Sequence, residues 1–526
     1  MTKYLINRII RSLVSVIIVV GVVMVMIYTW LDKNQIFASD PLYTHYKLNS
    51  QEVYKMQQWE RYGYVDYVPY ADYMSALLLS GEITQEEYDA AIKFGNTAEK
   101  DSEAAAAMVE QFRNYYESKG YEVIRKDAVM KMRSTTNYQE GGEPRLYAYI
   151  NKPLTNRLWT YFTSIIQVDN IHKAAGDVGE RGLTFTLYDP AYGGEKFSPA
   201  IMGNGTHHKY LMYFDNQFPY IHQNLLSISL GASYTINQGI DVFTTMTQAQ
   251  GAQEFSSVTY PSGAVTESAD NIHTATYVAN SLANGDAVVK ANFVDDYTNV
   301  QINKAGLSKM GYSFVIGIIA TALAYLLGIP LGITMALKKD KFVDKLGTVY
   351  IVFIIAVPSL AYIFLFKAIG AAVGLPAVFD MQNPTWLMYI LPIISLALPS
   401  VANLMKWLRR YMIDQMNSDY VKFARSGGLS EGEIFTKHVL KNSIIPIVHG
   451  IPGSILGAMT GAIITERVYV VPGAGNMLTK AINQYDNGVI VGMTLFYALL
   501  SVTSIILGDI LMSLLDPRIT FTEKAR

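Results

Sequence analysis

The residues best placed to act in this chain suit contact and movement rather than bond-making. The 526 residues include no cysteine, which excludes thiol nucleophiles, disulfides and Cys–metal sites. No G-x-x-x-x-G-K-[ST] phosphate loop occurs, so any ATP must be bound by another subunit. His207, His208 and His222 lack carboxylates at ligand spacing and read as surface histidines, not a metal site. No Ser/His/Asp set stands in credible order. The informative stretch is DYVKFARSGGLSEGEIFTKHVLKNSIIP, from Asp419 to Pro446. Ser418 or Asp419 can cap a short helix. Tyr420, Phe423 and Ala424 then share a face at i, i+3, i+4 spacing. Gly427 and Gly428 end it, because glycine takes the left-handed cap without steric cost. Ser430 with Glu433 predicts a capping box and a second helix running toward Pro446. An exposed aromatic face of this kind fits a groove on a partner, whose movement would pull on the following segment. It also fits a helix resting on lipid headgroups.

What holds this stretch is apolar. Half of the chain is hydrophobic and 16% is charged, against about a quarter charged in soluble proteins. Six stretches reach the roughly 20 apolar residues needed to cross a bilayer: 9–31, 312–337, 348–375, 387–408, 444–465 and 489–515. The first reads as a signal anchor rather than a cleaved signal, since its apolar run exceeds a typical h-region and Ala38 is a poor cleavage match.

Basic residues orient the spans. Lys3, Arg8 and Arg11 precede the first; Lys338, Lys339, Lys341 and Lys345 follow the second. Lys406, Arg409, Arg410, Lys422, Arg425, Lys437 and Lys441 lie between the fourth and fifth; Arg518, Lys524 and Arg526 follow the sixth. With alternating spans all fall on one side, which predicts both termini and the 414–446 loop in the cytoplasm. Residues 32–311 then lie outside. They carry 22 Lys+Arg against 32 Asp+Glu, a net of −10, whereas the remainder carries 20 against 12, a net of +8.

The division is therefore 1–31, a tail and first span; 32–311, an outer domain; and 312–526, a five-helix core. The outer region is too long to be an unstructured loop. Thr84 followed by Glu87 predicts a capped helix, and 101–120 a second that ends at Gly120. RLYAYI, LTFTLYD and HKYLMYF read as strands, so the region is α+β. It holds 25 of the chain's 37 tyrosines, as ordinary core and surface residues or as a docking surface.

The spans carry helix breakers: Gly328 and Pro330, Pro358, Pro392 and Pro399, Pro446 and Pro452. Gly453, Gly457 and Gly461 recur every fourth residue, a stripe that admits close helix packing or gating. With Pro446 they are the hinge and packing candidates. Glu466 and Asp509 are the notable carboxylates in the spans, each near an end. A proton-coupled transporter would carry more of them near mid-membrane.

The 419–446 stretch resembles the cytoplasmic EAA loop of ABC importer permeases, in the version of the OppB/DppB-type oligopeptide and dipeptide permeases. DYVKFARSGGLS matches that pattern, with Ser426 for a usual Ala and Gly427 for a usual Lys. HVLKNSIIPI, TERVYVVPGAGNML, the VPS at Val357, ILPIISLALPS and the DPRI at Asp516 also fit. The resemblance covers roughly 1–31 and 310–520. The long insertion is similar to that of AmiC-type subunits of streptococci. It implies six transmembrane helices of the type I ABC importer permease fold and one membrane half of an oligopeptide importer. It also implies a second homologous permease, two ATPase subunits carrying ATP and Mg, and an extracellular peptide-binding lipoprotein. Tyr420, Phe423, Ala424, Arg425, Gly428 and Leu429 would contact the ATPase. Glu466, Pro472 and Gly473 are outer-gate candidates. No cofactor is expected on this chain and no nucleic acid among its partners; peptide and the lipid bilayer are. The alternatives are an ABC permease for nickel or a modified peptide, a membrane-anchored extracellular binding protein, or a secondary transporter.

Overall fold

The computed structural model describes residues 2–132, 138–168, 180–204, 206, 210–214, 221–223, 226–259, 265–277, 297–381 and 384–515. His207, His208 and the DPRI ending with Arg518, Lys524 and Arg526 lie outside them. Among the described residues, four helices are long and apolar enough to cross a membrane, and two bent pairs pass the same test when each is joined.

The first helix, α1 (Thr2–Trp30), buries Val16, Val20, Met24 and Ile27, a stripe at helical spacing. Ile17, Ile18, Val22 and Met26 on its other faces stay exposed, as a lipid-facing surface requires. Arg8 of α1 is ion-paired to Asp509 at 2.5 Å, so Asp509 has a structural partner.

The next long helix is α2 (Lys309–Leu337), capped by Ser308. A single span over 348–375 is not what forms. Instead α3 (Phe342–Ala356) and α4 (Ser359–Ala372) meet at a 110° bend. Pro358 causes it: its ring forces Val357 into an extended conformation and it donates no N–H. Helix α5 (Ile390–Met416) continues through Pro399. Gly328 and Gly332 of α2 let α5 approach; a Cβ on Gly328 would lie 2.9 Å from Leu404 and one on Gly332 3.2 Å from Leu408.

Beyond α6 (Asp419–Ser426) come a short helix (Glu431–Ile434), a π-helical turn (Phe435–Leu440) and α7 (Lys441–His449). The chain bends by 41° into α8 (Ile451–Tyr469). The expected span 444–465 is thus broken at Gly450, between Pro446 inside α7 and Pro452 in the first turn of α8. Helices α9 (Ala474–Asn483) and α10 (Asn487–Leu515) complete the core.

Residues between α1 and α2 build helices and small antiparallel sheets. Strands β1 (Val65–Pro69), β2 (Glu122–Lys126) and β3 (Arg145–Asn151) form one sheet in the order β1-β3-β2. The Glu103–Ser118 helix presses the fully buried Phe112 against Tyr70 and Tyr73. Strands β4 (Gly182–Thr186), β5 (Ala200–Asn204), β6 (Tyr210–Phe214) and β7 (Ile221–Gln223) form a second in sequential order. The Thr84–Glu87 capping box forms with both of its hydrogen bonds.

This region is seated on the core. Asp486 caps α10 and is fully buried. Its carboxylate accepts the backbone N–H groups of Tyr234 and Thr235 at 2.9 Å each and the Ser233 hydroxyl at 2.8 Å. Asn487 donates to the Tyr64 hydroxyl at 2.8 Å. A Cβ on Gly488 would fall 1.9 Å from the Ala232 carbonyl oxygen, so only glycine admits that approach.

Candidate functional site

Helix α6 is amphipathic, and its orientation follows from its burial. Val421 and Ala424 are buried, in one cluster with Leu408, Met412, Ile434 and Val439. Phe423 lies about 200° from Val421 around the helix and is 80% exposed. Ala424 therefore packs inward, which corrects the expectation that it shares the outward face with Tyr420 and Phe423. Leu429 packs partly buried against the same cluster.

Tyr420 sits at the boundary of the two faces. Its hydroxyl donates to Gln415 at the end of α5 and accepts from Asn442 of α7 at 3.0 Å. Ser418 occupies the N-cap position without capping, since its hydroxyl donates back to Gln415 O at 2.6 Å. Asp419 pairs with Lys422 at 2.9 Å.

The turn after α6 is left-handed at Gly428 alone, with φ +84°; Gly427 has φ −77°. Leu429 N–H returns to Ala424 O at 3.3 Å. Arg425 spans this turn to Glu431, with Nε 2.5 Å from Oε1 and Nη2 3.0 Å from Oε2. The pair raises the Arg425 pKa and lowers that of Glu431, through the hydrogen bonds first. Ser430 and Glu433 complete the predicted capping box. The exposed Phe423 is thus joined through a stiffened elbow and the π-turn to α7 and α8.

Those helices line a central cavity of about 580 Å³. Ser359 follows the bend at Pro358 and Gly450 divides α7 from α8; both breaks meet at this cavity, which Pro399 of the continuous α5 also lines. Its walls carry Tyr325, Ser395, Asn403, Ser454 and Thr465, and no charged side chain stands among the described lining residues. Tyr325 lies 3.1 Å from the Ser454 hydroxyl across it.

The glycine stripe faces this space. Gly453 and Gly457 line the cavity, and a Cβ on Gly457 would meet nothing within 4 Å. Within this chain Gly457 is therefore not a helix-packing contact, whereas a Cβ on Gly453 would meet Ser504 of α10 at 3.8 Å. The surroundings of Gly461 lie outside the described residues.

Glu466, Pro472 and Gly473 come together where α8 turns into α9. The Glu466 carboxylate accepts from Ser313 of α2 at 2.5 Å and from the Asn476 N–H at 3.0 Å. It thereby caps α9, as a carboxylate at a helix N-terminus does. A Cβ on Gly473 would lie 2.3 Å from the Glu466 carboxyl carbon. Val470 takes φ +58° to make the turn.

Comparison with known proteins decides what this arrangement belongs to. The family model described as binding-protein-dependent transport system inner membrane component matches residues 328–521. The oligopeptide transport system permease protein AmiC of Streptococcus pneumoniae is 33% identical over 530 residues, covering 100% of this chain and 99% of that protein. The chain belongs to the oligopeptide transport permease family. The dipeptide transport system permease protein DppB of Bacillus subtilis is 29% identical over 213 residues, 40% of this permease and 68% of that one. The permease is accordingly a helical, multi-pass membrane protein and a transport subunit, not an enzyme. Sequence reasoning missed Tyr325, Ser395, Asn403 and Ser454, which are ordinary residues until the folded helices gather them.

Proposed function

We propose that this permease is one membrane half of an ATP-driven oligopeptide importer of the type I ABC fold. In this reading the two bent helix pairs count as one span each, giving six. Both termini and α6 are cytoplasmic, and residues 32–311 are extracellular. The exposed face of Tyr420 and Phe423 docks in a groove of an ATPase subunit. A second homologous permease completes the pathway, two ATPases supply ATP and Mg, and an external lipoprotein delivers peptide.

The observation that carries this reading is the exposed Phe423 on a helix whose opposite face is locked into the bundle. Burying that ring in a partner contributes roughly 1.5–3 kcal/mol. Reversing a two-state equilibrium from 1:99 to 99:1 takes about 5.5 kcal/mol, so the ring, the Arg425–Glu431 elbow and a second coupling helix must act together. The hydroxyl and amide lining of the cavity supports a cargo recognised through its main chain. A metal ion would call for carboxylates or imidazoles there.

The test is peptide uptake by Phe423→Asp in otherwise intact membranes. Loss of uptake with normal assembly of the spans is expected. Uptake at the unmodified rate would remove the proposed docking.

A further inference from the structure

Where the outer region meets α1 and α10 lies a cavity of about 240 Å³, separate from the central one. Its lining includes Arg61, Lys152 and Arg157 and, among the described residues, no carboxylate. This concentration of positive charge stands within a region whose net charge is −10 over residues 32–311. Glu60 is the carboxylate that interacts with Lys152, and it lies outside the lining. The Arg157 guanidinium stacks on Tyr28 at 3.6 Å and on Tyr64 at 4.0 Å. Tyr28 also shares a side-chain hydrogen bond with the guanidinium, but the buried Nη2 of Arg157 has no hydrogen-bond partner. Such an orphaned cationic donor is costly unless an anion meets it.

The level of the cavity identifies the anion's source. Trp30 ends α1 and is 76% exposed, as tryptophans are at the headgroup boundary. Tyr28, in the cavity wall, is two residues earlier, about 3 Å along the helix axis. The lining also has an apolar part, with Met24, Leu230 and Val491. Cations and apolar side chains lining one cavity match an amphiphile with a phosphate head.

We propose that this cavity binds a phosphate group, presented by an anionic phospholipid of the adjoining leaflet. Arg157 and Lys152 hold the phosphate, and the Met24–Val491 wall receives the glycerol end. Lipid here would join α1, α10 and the outer region in one site.

The test uses the full chain in phosphatidylcholine nanodiscs with and without phosphatidylglycerol. Native mass spectrometry then counts the lipid retained. Both leaflets are exposed, so the reading does not depend on orientation or on the transport proposal. The unmodified chain should retain phosphatidylglycerol preferentially. Arg157→Gln and Lys152→Gln should each reduce retention about fivefold, the effect of one cation near an anionic surface. Lys152 stacks on neither tyrosine ring, so its variant serves where Arg157→Gln loosens the stack. Equal retention by the chain and both variants would overturn the site. Displacement of the lipid by inorganic phosphate would overturn the lipid source.

Discussion

Arg425 and Glu431 are joined at two points, 2.5 Å and 3.0 Å, across a turn that only Gly428 can make. The pair is solvent-exposed, where such contacts add little to stability. Its value is geometric, because it holds α6 at a set angle to the segment leading into α7. Glu431→Gln should leave the thermal midpoint unchanged and lower peptide-stimulated ATP hydrolysis by the assembled complex. A fall in both together would assign the pair to folding instead.

The two elbow glycines should respond differently. Gly428→Val places a β-branched residue at φ +84°, a strain of roughly 1–3 kcal/mol, and nothing lies within 4 Å to account for any other effect. Uptake should fail. Gly427→Lys, at φ −77°, should transport nearly as well as the unmodified protein. Uptake rates of the two variants, measured side by side, check this.

Asp486 holds the region between α1 and α2 to the core. Asp486→Ala leaves the buried N–H of Tyr234 and the part-buried N–H of Thr235 without this acceptor, at a cost of about 1–3 kcal/mol for the buried one. Hydrogen exchange over residues 230–247 should accelerate while α2 and α5 keep their protection. Unchanged exchange there would mean that the Gly488 contact alone suffices.

The β4–β7 sheet should be acid-sensitive through Asp189. Burial by itself raises its pKa, but His273, the Tyr210 hydroxyl and the Ala191 N–H outweigh that and lower it. A lowered carboxyl pKa stabilises the fold above its unfolded value and loses that contribution as pH falls through the folded one. Exchange protection of β6 should therefore hold at neutral pH and decline below the ordinary Asp value of 3.8. Asp189→Asn should flatten that decline.

Local signals were legible in the sequence because their partners are three or four residues away. The Ser430–Glu433 and Thr84–Glu87 boxes formed, and the Gly428 turn formed. The apolar runs of α2 and α10 matched closely. Longer-range features were not legible. Asp486 is an ordinary acidic residue until Ser233–Ile236, some 250 residues earlier, folds onto it. Pro358 signalled a kink, but not its 110° size. The inward turn of Ala424 was hidden because i, i+4 spacing from Tyr420 says which residues are neighbours, not which side the bundle covers. The stripe of Gly453 and Gly457 admitted close packing or gating, and spacing alone could not show that Gly457 faces a cavity.

The absence of cysteine from the chain allows a direct test of the central claim. Phe423→Cys carries the only thiol on this chain, at a position 80% exposed. Treated with a short thiol-reactive photocrosslinker in the assembled complex, it should join this chain to an ATPase subunit, with a yield that changes when ATP is added. Adducts to lipid alone, or an ATPase adduct indifferent to nucleotide, would contradict the account of α6 as the element that couples ATP to the pathway.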